Sequence, residues 1–247
     1  MNEPIRITPI SDEEAALWRL AHEVTGLLDG LPWVLIGGLM VRILEAEYGV
    51  TTSWTTGDLD TVLDGRALSA ATRKAATRLQ EADFTPERYD ENLTYRFTRG
   101  SDIVDVLAPD HLGGRADIAT VPPDETLEAL GSRQALNRRR IVTIDAGEGP
   151  FALPLPSLLG AIIMKARVVS NTAGRKSQPK HRRDLARLLA LVPDPAALHG
   201  EMSKKEHVYL RERSELLDPG HRAWTNVANA ENGIIALEIL AEANLTK

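Results

Sequence analysis

The sequence contains no cysteine. That excludes a disulfide framework and any thiolate metal site, and it fits a reducing cytoplasm. Long hydrophobic runs are missing too. The longest, Ala152–Met164, is interrupted by Pro154, Pro156 and Ser157 and is too short to span a bilayer, so no membrane association is expected. The opening M-N-E-P-I-R has no apolar core of the kind a signal peptide needs. Repeats, coiled-coil heptads and low-complexity tracts are absent. His199, His207 and His221 sit at no metal-ligand spacing and read as surface residues. The net charge of −6 argues against a coat of basic residues, yet leaves room for local patches. What remains is a chain of 247 residues, 43% hydrophobic and 26% charged, able to build one large domain or two small ones around a sizeable core.

The stretch Val34–Asp60 organises the chain. A short apolar strand (Val34, Leu35, Ile36) runs into Gly37-Gly38, an apolar helix follows over Leu39–Glu47, and a second strand carries Asp58 and Asp60. Residues two apart on a strand share a face, so the two carboxylates project together while Leu59 turns into the core. Adjacent carboxylates repel unless a cation or proton joins them. Hard oxygen donors in such a pair suit Mg²⁺, which is commonly shared with substrate phosphates. A Gly-Gly turn at a helix start lets backbone N–H groups approach an anion closely. Thr56, two residues before Asp58, would place a hydroxyl near any phosphate bound there.

Helices are expected over 11–29, where Ser11 and Glu14 form a capping-box pattern, and over 67–83, whose exposed side holds Arg66, Arg73, Lys74 and Arg78. Leu93–Thr98 and Asp102–Leu107 read as two strands joined through R-G-S. On the second, Asp105 shares a face with Ile103 and Leu107. Burying that carboxylate is costly unless it is paired, and a metal beside the Asp58–Asp60 strand would offset the cost. Asp102 is the other candidate for a third acid, but it lies nearer the turn and points the other way. Residues 108–124 look loop-like, a short helix is expected over Asp124–Asn137, and strands over Ile141–Ile144 and Phe151–Leu155.

After about residue 155 the pattern turns helical. Pro156 and Ser157 open a helix over Leu158–Ser170 in which Lys165 falls on the apolar face with Leu158, Ile162 and Val169. It either snorkels out to water or faces inward onto an anion, for which a triphosphate would serve. A polar loop, Asn171–Pro179, leads to a helix from Lys180 whose Asp184 could reach Lys165. Residues 164–190 hold eight Lys or Arg and one acid, a local charge of +7 against a chain of −6. Such a contrast points to a polyanion partner; a solvated face bridged to acids elsewhere is the alternative. Two or more helices are expected over 194–243.

The ordered set G-G, D-x-D, a lone strand Asp, a helical Lys and a following R-R-D-L resembles the nucleotidyltransferase toxins of the AbiEii/MenT type, within the polymerase-beta-like nucleotidyltransferase superfamily. The resemblance covers roughly residues 32–192. It implies an α+β fold: an N-terminal nucleotidyltransferase mixed sheet flanked by helices over 1–155, and a C-terminal helical domain over 156–247. It implies that Gly37 and Gly38 form the nucleotide-binding turn, that Asp58, Asp60 and Asp105 bind Mg²⁺, that Lys165 approaches the triphosphate of an NTP, and that Asp184 is the final catalytic aspartate. The implied acceptor is an RNA, the 3′ end of tRNA, tracked by Arg167, Arg175, Lys176, Lys180, Arg182 and Arg183. A cognate antitoxin is implied as well; in this family it can be a kinase acting on a hydroxyl just before the D-x-D, the position of Thr56. The chain departs from the family pattern at Gly38, where many members carry Ser, and at Trp54, where many carry Arg before the D-x-D. The alternatives are transfer to an aminoglycoside-like small molecule or a protein hydroxyl, and a degenerate fold that only binds.

Overall fold

A computed structural model describes residues 3–113, 116–169 and 178–242. Its strands are β1 (Ile5–Arg6), β2 (Trp33–Leu35), β3 (Leu59–Leu63), β4 (Thr85–Asp90), β5 (Leu93–Arg99), β6 (Asp102–Pro109), β7 (Ala119–Val121), β8 (Asp124–Glu125), β9 (Glu128–Ala129), β10 (Arg139–Asp145) and β11 (Pro150–Pro156). The helices are α1 (Asp12–Leu27), α2 (Gly37–Glu47), α3 (Ala71–Glu81), α4 (Ser132–Asn137), α5 (Leu158–Val169), α6 (Gln178–Ala190), α7 (Pro195–Gly200), α8 (Lys204–Arg211) and α9 (Ala230–Ala241). The fold is α+β. No helix among the described residues is long and apolar enough to cross a membrane.

The main sheet is mixed, in the order β2-β3-β6-β5-β8-β7, with β4 on β5 and β9 on β6. β3 and β6 are parallel, while β2 with β3 and β5 with β6 are antiparallel. A smaller sheet, β1-β10-β11, carries β1 parallel to β10. The first helix starts where the capping pattern places it: Ser11 Oγ accepts from Glu14 N–H at 3.2 Å. Glu14 reaches one residue further back, accepting from Ile10 N–H at 2.6 Å, and binds the buried Arg42 of α2 at 2.9 Å. One apolar core gathers Val24, Val34, Leu44, Val62, Phe97, Ile162, Leu188 and Leu237, so the helical half packs into the same interior as the sheet. Helices α5 and α6 pair with each other, and both touch α2.

Several elements differ from the expectation. The helix expected over 67–83 is confined to 71–81, because Ala70 takes a left-handed conformation at φ 58° and ends the turn before it. The helix expected over Asp124–Asn137 is helical only from Ser132; β8 and β9 precede it, drawn out as extended chain by pairing with β5 and β6. The loop-like 108–124 contains β7. Asp58 stands one residue before β3 rather than on it.

Candidate active site

The parallel register of β3 and β6 sets Asp60 directly beside Asp105. Neighbouring strands are about 4.8 Å apart, so two carboxylates on the same face must meet. Asp58 approaches from the end of β3, and one oxygen from each of Asp58, Asp60 and Asp105 lies within 4.8 Å of the others. Three hard oxygen donors at that spacing fit a divalent cation such as Mg²⁺. Burial first, then the charges of Asp58 and Asp105, push the pKa of Asp60 up to about 7, with Lys165 and Lys180 pulling the other way.

Gly37 and Gly38 open α2, the N-cap being Ile36. Gly37 sits at φ 74°, where L-residues are strained, and a Cβ there would run into the Asp60 carboxylate. Its lack of a side chain is what lets Asp60 lie against the helix start. A Cβ on Gly38 would come within 2.7 Å of Thr56 Oγ1, so a side chain there would press on Thr56. The Thr56 hydroxyl donates to Asp58 Oδ1 at 2.6 Å. The helix start, Asp58, Asp60, Lys165, Lys180 and His181 line a cavity of about 370 Å³. A larger groove of about 860 Å³ lies away from these acids, between β1, β10 and the end of α2.

Lys165 does not snorkel. It is buried, and Nζ donates to Asp184 Oδ2 at 2.7 Å. Asp184 also lies 3.8 Å from Arg187, which is 3.7 Å from Glu45 of α2. The Arg187 guanidinium packs 4.1 Å from the centroid of Trp54, and Trp54 Nε1 donates to Glu45 Oε2 at 3.0 Å. Thr52 donates to the same oxygen at 3.2 Å. The Thr-rich loop ahead of Asp58 is thereby tied to α2 and α6. Burial raises the Glu45 pKa, opposed by Arg187, Trp54, Thr52 and Arg42.

Other sequence candidates are placed differently. The cations of the 164–190 segment are largely committed to internal acids: Arg167 pairs with Asp110 at 2.6 Å and Arg182 with Glu215 at 3.1 Å. Lys180 and Arg183 are exposed. Arg175 and Lys176 lie outside the described residues. Asp102 pairs with Arg99 at 3.0 Å and takes no part in the acidic group.

Two neighbours of the site escaped the sequence reading. Arg96 grips Asp105 with two bonds, 2.8 and 2.9 Å, and burial of Asp105 is offset chiefly by them. The hairpin turn could have revealed it: pairing Arg99 with Asp102 across R-G-S puts Arg96 opposite Asp105. His181 is the other. Its Nδ1 is buried without a hydrogen-bond partner among the described residues, and burial, then Lys165, lower its pKa to about 4. On sequence it was one polar residue on a helix face, and nothing local marks it.

No family model and no curated protein matches this chain. Among solved structures, the crystal structure of an antigenic nucleotidyltransferase-like protein from Paracoccidioides brasiliensis aligns with a TM-score of 0.48 and 16% identity, over 84% of this chain and 89% of that one. The functional reading rests on the site's own geometry.

Proposed function

We propose that the protein is a Mg²⁺-dependent nucleotidyltransferase that moves a nucleoside monophosphate from an NTP to an acceptor hydroxyl. The observation that carries this is the meeting of Asp58, Asp60 and Asp105 beside the glycine helix start, at the mouth of a cavity lined by Lys165. Magnesium bound to the three acids would neutralise charge on the triphosphate. Gly37 and Gly38 line the cavity, and their N–H groups would hold phosphate oxygens there. Asp105 accepts the proton of the acceptor hydroxyl as its oxygen attacks the α-phosphorus. The bond from that phosphorus to the bridging oxygen breaks, and pyrophosphate leaves. Lys165, oriented by Asp184, stabilises charge developing on the leaving group. His181 Nδ1, unpartnered among the described residues, offers one further polar contact to the nucleotide. In this reading residues 1–155 form the nucleotidyltransferase domain, and 156–247 form a helical domain that supplies Lys165 and Asp184.

The acceptor we favour is RNA, the 3′ end of a tRNA, and the biological role that of a toxin restrained by an antitoxin. The likeness to AbiEii/MenT-type sequences supports both, and Lys180 and Arg183 remain exposed for an RNA backbone. Phosphorylation of Thr56 would set a second negative group against Asp58, with which it shares a hydrogen bond, and would block metal binding. A small-molecule acceptor is the second reading. The pairing of Arg167 and Arg182 with internal acids favours it, because it narrows any basic track. The deciding experiment incubates the protein with Mg²⁺ and each labelled NTP against total tRNA, aminoglycosides and the protein itself, with Asp58→Ala as control. Labelled tRNA is expected. An absence of magnesium-dependent NTP turnover with every acceptor would leave only a binding role.

A further inference from the structure

The sheet order β3-β6-β5 lays out three positions in a row: Asp60 against the cavity, Asp105 beyond it, and then the hairpin β4–β5. Two of the chain's four tyrosines, Tyr89 and Tyr95, stand on that hairpin. Their ring centroids are 5.9 Å apart with planes tilted by 50°, and Tyr89 is 75% exposed.

A slip in strand register accounts for their placement. Glu87 pairs with Arg96, Arg88 with Thr94 and Asp90 with Leu93, so the ladder shifts twice, skipping Tyr95 at the first bulge and Tyr89 at the second. On a regular strand Tyr95 and Arg96 would point to opposite faces. A bulge re-aims one of them. Here the Arg96 guanidinium that grips Asp105 lies 5.9 Å from the centroid of the Tyr95 ring. The Tyr95 ring and Asp105 therefore share one guanidinium, and the charge of Asp105 acts on the tyrosine.

The groups around the rings decide what they suit. Glu87 and Asp105 are carboxylates, and the charge of Arg96 is already taken by Asp105. Among the described residues, the guanidinium beside the rings is therefore not free for a phosphate. Flat, uncharged π surface is what the hairpin offers. We infer that Tyr89 and Tyr95 form a stacking platform for the terminal nucleobase of a single-stranded nucleic-acid acceptor, bringing its terminal hydroxyl to Asp105. This rests on the transferase reading above and names the part of the acceptor that the site recognises.

The test separates binding from transfer. A labelled short single-stranded RNA and the same oligonucleotide with an abasic 3′ residue are titrated with the protein in EDTA, and anisotropy is read. Stacking on an aromatic side chain contributes enough that Tyr89→Leu and Tyr95→Leu should each weaken binding of the intact RNA by about 5- to 150-fold. Tyr89→Phe and Tyr95→Phe should bind as the native protein does, and the Leu changes should not alter affinity for the abasic RNA. Thermal melting checks that the variants fold; Tyr89, exposed as it is, carries the test if Tyr95→Leu does not. Unchanged affinity in the Leu variants, equal losses on both oligonucleotides, or displacement of the RNA by kanamycin through the same tyrosines would overturn the platform. Asp60→Asn should lose transfer and keep RNA binding. If the native protein transfers nothing while the binding pattern holds, the transferase reading fails and the platform stands.

Discussion

Lys165 and Asp184, nineteen positions apart on α5 and α6, meet through a 2.7 Å hydrogen bond with both side chains out of water. Each is the other's main compensation for burial. Removing one partner from a buried pair costs about 3–5 kcal/mol, whereas replacing both with apolar groups of similar size is often neutral. Asp184→Ala should therefore lower stability by about that amount in urea denaturation. The double change Lys165→Met, Asp184→Leu should recover most of it without recovering transfer. Equal stability of the two variants would mean that the pair is not what the single change disrupts.

Gly37 should tolerate no side chain. Its φ of 74° and the Asp60 carboxylate beside it both oppose a Cβ. Displacing a reacting group by about 1 Å can cost a hundredfold in rate, so Gly37→Ala should lower transfer by about that factor or more. Gly38 is not in the left-handed region, so Gly38→Ala, which meets Thr56 instead, should cost less. The comparison is kcat for each variant, with far-UV circular dichroism to confirm folding.

Arg96 should resist conservative replacement. Its two bonds to Asp105 need a planar fork, which lysine lacks. Arg96→Lys should retain part of the stability and Arg96→Met should lose about 3–5 kcal/mol, since Asp105 would be left buried without its partner. Chemical denaturation of the three proteins side by side tests the ranking.

His181 sets a pH dependence whose sign follows from its pKa. The folded protein holds it at about 4, below the ordinary 6.5, so the neutral ring is favoured by folding. Its contribution to stability is present above about pH 6.5 and is lost as pH falls toward 4. The facing groups are Lys165 on α5 and Lys180 and Asp184 on α6, and the two lysines disfavour protonation. Asp60, raised to about 7, acts in the opposite sense over much of that range. The readout is thus a difference: His181→Asn should lose less stability than the native protein between pH 6.5 and 4. Parallel curves would remove His181 from the account.

Thr56 should distinguish lost bonding from added charge. Thr56→Val removes the hydrogen bond to Asp58 and should reduce transfer several-fold, in line with about 1 kcal/mol for such a bond. Thr56→Glu, or phosphate on the native hydroxyl, should abolish magnesium-dependent transfer through repulsion at Asp58. Phosphorylated protein with full activity would dismiss the regulatory role.

Much of this architecture could be read along the chain because its signals are local. The capping residue Ser11, the Gly-Gly before α2, the R-G-S hairpin and the alternation around Asp105 each depend on neighbours a few positions away. Boundaries failed where a partner decided them, as at β8 and β9, which are extended because β5 and β6 lie alongside. The basic segment is a different case. Charge counting treats each cation as free, whereas Arg167 and Arg182 have spent theirs on Asp110 and Glu215.

Residue identity and short-range periodicity were enough to nominate Asp58, Asp60, Asp105, Lys165 and Asp184, since period and spacing determine which side chains share a face. Their meeting depended on the parallel pairing of β3 with β6 and on α5 packing against α6. The clasp of Trp54 by Arg187 and Glu45, the burial of the His181 nitrogen and the skipping of Tyr95 and Tyr89 in the strand ladder were decided by tertiary structure alone. Each joins residues whose separation along the chain carries no periodic signal, or hinges on a one-residue slip that composition cannot register.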